Sequence, residues 1–254
     1  MDSLHIDDTT KAQLRQLRLS TFADVYFELA ADETMADALP EDIFLKAVAE
    51  AAEQRRQRNI AKAITHAKFR YPEATLAELI NVEERGINLR QLKRLAATNW
   101  RETPTNVHLL APTGTGKTYI ACAIGIAACQ AGYSVAYFRL DQLVDDLAVL
   151  LPADKRYVDL VRWLQNIDVL ILDDFLTIGI NQRGQEDLTK IIFDRDGRLP
   201  TIVASQTSAA YWLESLPDRV GADSLVSRLN SGQRISIGDY EMRQHLSYTN
   251  NPTD

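Results

Sequence analysis

Nowhere does the chain carry an apolar run approaching the ~20 residues that a membrane-spanning helix requires. Its first residues, Met-Asp-Ser-Leu-His-Ile-Asp-Asp, lack both the basic segment and the apolar core of a secretory leader. These two absences predict a cytoplasmic protein with no membrane partner. Cysteine is scarce: Cys122 and Cys129 are the only two, seven positions apart in a segment of helical spacing. Two helical turns separate them by about 10.5 Å along the axis, beyond disulfide reach, so both are expected to be reduced packing residues. Internal repeats and low-complexity tracts are also missing, which excludes a repeat array.

Charge is plentiful but uneven, a pattern hidden by the net value of −7. Residues 1–53 hold 4 basic and 12 acidic side chains, residues 54–101 hold 11 and 4, and residues 102–254 hold 13 and 19. Within the basic stretch, Arg55, Arg56, Arg58, Lys62, Lys68 and Arg70 fall in a segment from about Glu41 to Phe69. That segment reads as one long helix, with Phe44, Val48, Ala51, Ile60 and Ile64 available for an apolar side. Such a stripe suits phosphate backbones and equally a solvated face, which makes Arg55, Arg56, Arg58 and Lys62 candidate DNA contacts.

The most informative residues are Ala111-Pro-Thr-Gly-Thr-Gly-Lys-Thr118, set between the apolar run Val107–Ala111 and a helical pattern through Ile120, Ala123, Ile124 and Ala127. Gly114 and Gly116 lack a Cβ, so the loop can take positive φ and turn its N–H groups around a polyphosphate at the positive end of the helix. Pro112, Thr113, Gly114, Thr115, Gly116, Lys117, Thr118 and Tyr119 are therefore the candidate nucleotide-binding residues. Lys117 can reach the β and γ phosphates, and the Thr118 hydroxyl can ligate Mg²⁺. A second apolar run, Val169–Leu172, ends in Asp173 and Asp174. Asp173 suits the Mg²⁺ position through bound water, and Asp174 could polarise the water that attacks the γ phosphate. Two further candidates follow. Gln206 ends the buried run Thr201–Ser205 and could bond the γ phosphate or that water, while Arg228 could project from one subunit into the nucleotide of the next.

Pro40, Pro72 and Gly86 break the first hundred residues into helical pieces, and Thr103-Pro104 marks entry to the core. Beyond it, strands are expected at 106–111, 134–138, 168–173, 201–205 and 233–237. Helices are expected at 117–130, 140–150, 155–166, 184–196, 208–215 and 222–230. The alternation predicts an α/β fold: a five-stranded parallel sheet covered by helices on both faces, preceded by a small all-helical N-terminal domain. The expected boundaries are 1–70 for that domain (partner or DNA interaction), 71–103 for a helical linker and 104–254 for the ATPase domain.

APTGTGKT, VLILDDF, TIVASQ and SLVSRL, in that order and spacing, resemble the IstB-like transposition helper ATPases, a branch of the AAA+ superfamily close to the DnaC helicase loaders. LRLSTFADVYFE, AKFRYPEATLAEL and INLRQLKRLAATNW extend the resemblance over nearly the whole chain. It implies ATP and Mg²⁺ bound between subunits, homo-oligomers on double-stranded DNA, a cognate transposase as partner, and slow ATP hydrolysis stimulated by DNA or that partner. It also implies an AAA+ core without a C-terminal lid domain, with Lys117, Asp174, Gln206 and Arg228 as catalytic residues. Three departures stand out. Asp174 replaces the Glu of many AAA+ members and reaches about 1.5 Å less far. Leu176 stands where relatives often have Gly. Arg243 matches a C-terminal arginine of relatives without an evident role. The chief alternative is a DnaC-like replicative helicase loader. A small-molecule kinase would need an arginine-bearing lid that the sequence lacks, and a non-hydrolysing scaffold stays open through Asp174.

Overall fold

The computed structural model describes residues 8–240 and Met242; Arg243 lies outside the described residues. The chain divides into two units, residues 1–62 and 63–254. Three helices make up most of the first: α1 (Asp8–Gln16), α2 (Ser20–Ala31) and α3 (Pro40–Ala67), the last running past the division. Its small core joins Val25 and Leu29 of α2 to Ala47 and Ala51 of α3. Expectation and structure differ here. The buried side of α3 follows positions 43, 47 and 51, where alanines admit close approach of α2, while Phe44 and Val48 remain 50% and 44% exposed.

In the second unit the chain first runs through turns, then forms α4 (Leu89–Ala96), whose N-terminus is capped by the Asn88 side chain accepting the Gln91 N–H at 3.0 Å. Strand and helix then alternate: β1 (Val107–Leu110), α5 (Lys117–Gln130), β2 (Val135–Arg139), α6 (Leu140–Ala148), α7 (Lys155–Asn166), β3 (Val169–Asp173), α8 (Gln182–Arg195), β4 (Thr201–Ser205), α9 (Ala209–Ser215), α10 (Arg219–Leu229) and β5 (Gln233–Ser236). The five strands are all parallel in the order β2-β3-β4-β1-β5. Each expected strand is present, with ends shifted by a residue or less.

Alternation along the strands explains the continuous apolar runs. Val169 and Ile171 of β3 join a core beneath α4 and α5, while Leu170 and Leu172 join the core beneath α6 to α10. β5 and β2 are the two edge strands, and only Ile235 of the four residues of β5 is buried. Cys122 and Cys129 are free thiols in the core beneath α5, their pKa values pushed by burial to about 11 and about 12. No helix among the described residues is long and apolar enough to cross a membrane, and no helical domain follows β5 among them.

Candidate functional site

The strand order sets the carboxyl ends of β3, β4 and β1 side by side, the edge at which parallel sheets present ligands. From β1 the chain enters the loop 111–116. Gly114 and Gly116 have φ of +84° and +88°, a region closed to most side chains. A Cβ on Gly116 would also lie 2.7 Å from the Arg85 guanidinium. That guanidinium, 2% exposed, donates to the carbonyls of Thr115 at 2.9 Å and Ile80 at 3.1 Å, and so braces the loop from outside. Burial pulls its pKa down. The Met242 N–H donates to the Gly114 carbonyl at 3.0 Å as a second brace. Inside the loop, Lys117 Nζ and Thr115 Oγ1 both donate to the Pro112 carbonyl, at 2.7 and 2.9 Å.

A cavity of about 350 Å³ opens at this edge. Thr113, Gly114, Gly116, Lys117, Thr118, Tyr119 and Asp174 line one side of it, whereas Pro112 and Thr115 lie in the loop behind the lining. The other side is contributed by Arg70, Tyr71, Glu78, Leu79, Ile80 and Arg85. This wall is tied to α5 through Tyr119, whose hydroxyl accepts the Thr75 N–H and donates to Glu78, both at 3.2 Å.

Asp173 ends β3 with no exposure. Tyr137 on the neighbouring strand donates its hydroxyl to Asp173 Oδ2 at 2.7 Å, and Oδ1 has no hydrogen-bond partner. A carboxyl oxygen left unpaired in a buried place is costly, and a hydrated divalent cation would satisfy it. Asp173 Oδ1 and the Thr118 hydroxyl are hard oxygen donors, the chemistry that fits Mg²⁺, which takes few protein ligands when phosphates supply the rest. Among the described residues no cluster of three or more His, Cys, Asp or Glu is built to hold a metal by itself.

Asp174 takes φ +49° and lies 3.6 Å from Arg139 Nε. Burial, and then the Asp173 charge, push its pKa up, against the pull of Arg139, Lys117 and Arg70. Leu176 takes φ +48°, the left-handed conformation that a glycine would adopt without strain. The turn is held because Phe175 is fully buried against Trp212, donates its N–H to Ala204 and accepts from Ser205 Oγ. Gln206 follows β4 and accepts a hydrogen bond from the Thr113 hydroxyl of the loop. Trp212 Nε1 donates to Ser205 Oγ and Thr207 Oγ1, at 3.2 and 3.1 Å, on either side of Gln206.

Arg228 lies elsewhere. It pairs with Asp196 at 3.3 Å, bonds Ser224, and stacks 3.8 Å over the Phe193 ring. Its carbonyl accepts from Asn106, just before β1, whereas the loop follows β1, so about 13 Å of strand separates the two. Arg55, Arg56, Arg58 and Lys62 are exposed on α3 in the first unit, with Arg56 bound to Glu53 at 2.9 Å and Arg58 to Thr21 at 2.6 Å.

Sequence reasoning did not single out Tyr71, Arg85, Tyr137, Arg139 or Met242. The motif RYPEATL was visible but had no role, because residues 68–88 form turns without periodicity. Tyr137 lay within an expected strand, where it read as core.

Comparison with known proteins agrees with this geometry. The family model described as IstB-like ATP binding protein matches residues 12–249. An insertion-sequence ATP-binding protein of Sinorhizobium fredii is 33% identical over 192 residues, covering 75% of this chain and 78% of its own. The IS1162 insertion-sequence ATP-binding protein of Pseudomonas fluorescens is 34% identical over 206 residues, covering 78% and 85%. Among solved structures, DnaI superposes with a TM-score of 0.58 at 21% identity, over 65% of this chain and 91% of that one. The DnaC helicase loader gives 0.56 at 20%, over 66% and 98%. These two likenesses show a shared fold.

Proposed function

The chain belongs to the IstB-like ATP-binding family, and from that premise we propose that it is an ATP-dependent helper of transposition that assembles with copies of itself on double-stranded DNA and engages a cognate transposase. One observation carries the reading: the carboxyl ends of three adjacent strands lead into Lys117 and Thr118, Asp173 and Asp174, and Gln206 at a single edge, and Lys117, Thr118 and Asp174 of these line a cavity of nucleotide size.

The loop N–H groups and Lys117 bind the phosphates, and the wall of Tyr71, Leu79 and Ile80 takes the base. Thr118, and Asp173 through water, would hold Mg²⁺, which would supply charge neutralisation on the phosphates. Tyr137 holds Asp173 by one oxygen and would leave the other for that ion. Asp174 orients the attacking water and draws off its proton, a task helped by its raised pKa. Gln206 positions the γ phosphate or that water from the Thr113 side. Arg228, kept away from its own loop by the length of β1, serves the nucleotide of a neighbouring copy. Residues 1–70 form the partner and DNA region, residues 71–103 join it to the core, and residues 104–254 are the ATPase domain. ATP binding would favour subunit contact and DNA engagement, and hydrolysis would release both.

The test is co-sedimentation with duplex DNA. ATP should increase the bound fraction, and Lys117→Ala should remove that increase. Binding indifferent to both would overturn the reading, and a strong preference for single strands would move it toward a helicase loader.

A further inference from the structure

Arg90, Lys93 and Arg94 stand at i, i+3 and i+4 on α4, and all three are exposed. The opposite side of the same helix is fixed, with Leu92 and Leu95 0% and 1% exposed in the core beneath α5. The cations are thus displayed from a rigid, capped platform and border one open depression, lined also by Leu89 and Ala97.

The energetics of the helix itself do not account for them. Lys93 and Arg94 in the last turn complement its negative end. Arg90 sits in the first turn, at the positive end, where a cation is unfavourable, and it repels Arg94 one turn on. Nor does local pairing: among the described residues none of the three has an ion-pair partner. Arg56, Arg101, Arg156 and Arg198 have such partners, whereas Arg55, Arg162, Arg219 and Arg234, also exposed, have none among the described residues; the three on α4 differ from these in standing together on one face of one helix. In a chain of net charge −7, an unneutralised triple cation on a stiff helix calls for an anionic occupant.

We propose that this face of α4 contacts the phosphate backbone of double-stranded DNA. The proposal rests on the DNA-binding reading above and deepens it, by placing a contact on α4, in the second unit, in addition to the stripe on α3. Cationic side chains one helical turn apart match successive phosphates along one strand in scale, and they carry no base code. The contact is therefore sequence-independent.

The test is the salt dependence of duplex binding by the full chain with ATP, followed by fluorescence anisotropy. Three lost phosphate contacts should make the slope of log K against log salt shallower by about 2.7 in the variant Arg90→Gln/Lys93→Gln/Arg94→Gln. The charge-conserving pair Arg90→Lys/Arg94→Lys should keep the wild-type slope. ATP-analogue binding and the melting curve should be unchanged in both, showing that the fold is intact. If the wild type binds duplex and the triple variant keeps its slope, the α4 assignment is overturned while the DNA-binding reading stands. If the wild type itself binds no duplex, that reading fails and takes this one with it. A triple variant that binds DNA normally but no longer self-associates would give the face to an acidic surface of a second copy, and would also overturn the proposal.

Discussion

In the proposed function Asp174 is the residue that takes the proton, and its surroundings make a signed prediction. A carboxylate must be ionised to accept a proton, so hydrolysis should fall as pH drops through the Asp174 pKa, which burial and Asp173 hold above the usual carboxylate range. Arg139, 3.6 Å away, acts in the opposite sense by favouring the ionised form. Arg139→Ala removes that cation, raises the pKa further and should move the acidic limb of the pH–rate profile to higher pH. Asp174→Asn should lower the plateau rate by about 10²- to 10⁴-fold with nucleotide affinity largely kept. Both are read by multiple-turnover ATPase assays with DNA present. An acidic limb that stays in place in Arg139→Ala would dissociate the limb from Asp174. The position of Asp174, just past the end of a buried strand and on the cavity wall, was legible in the sequence, because an apolar run ending in two carboxylates downstream of a phosphate loop marks that edge of the sheet. Its modulation by Arg139 was not, since only strand pairing brings the end of β2 level with Asp173.

At the scale of elements, periodicity made the α/β alternation readable, and the segment between α3 and α4 escaped because turns have no period. The consequence of that segment is visible at Gly125, in the middle of α5. Its backbone is helical, so no turn requires a glycine there, and by propensity alone alanine would stabilise the helix by about 1 kcal/mol. In the fold, however, a Cβ at Gly125 would meet Phe69 at 2.6 Å and Ile171 at 2.7 Å. Phe69 leads directly into Arg70 and Tyr71 of the cavity wall. Overpacking of this kind costs about 1–3 kcal/mol, enough to cancel the propensity gain or exceed it. Gly125→Ala should therefore leave thermal stability unchanged or lower it, and weaken nucleotide binding several-fold by pushing Phe69 and Tyr71 outward. A variant that melts higher and binds ATP as before would show that Phe69 does not seat the wall.

For the whole molecule the question is whether one chain holds a complete site. In the proposed function three strand ends supply the phosphate, metal and water positions at one edge, but Arg228 stands at the other end of β1, beside Asn106, stacked on Phe193 and paired with Asp196. These contacts hold the guanidinium at the surface of its own unit, about a strand length from its own loop. If the transferring phosphoryl group needs that arginine, it must come from the next copy in a head-to-tail contact. Lys117→Ala and Arg228→Ala subunits should each be inactive alone. In an equal mixture that co-assembles at random, a site works when its own subunit keeps Lys117 and its neighbour keeps Arg228. Half of the subunits meet each condition, so about a quarter of the wild-type rate should return. An arginine acting within its own chain predicts no recovery at any mixing ratio, because every subunit then carries one disabling change. The ATPase rate of the mixture, measured beside a co-assembly check by light scattering on DNA, separates the two arrangements.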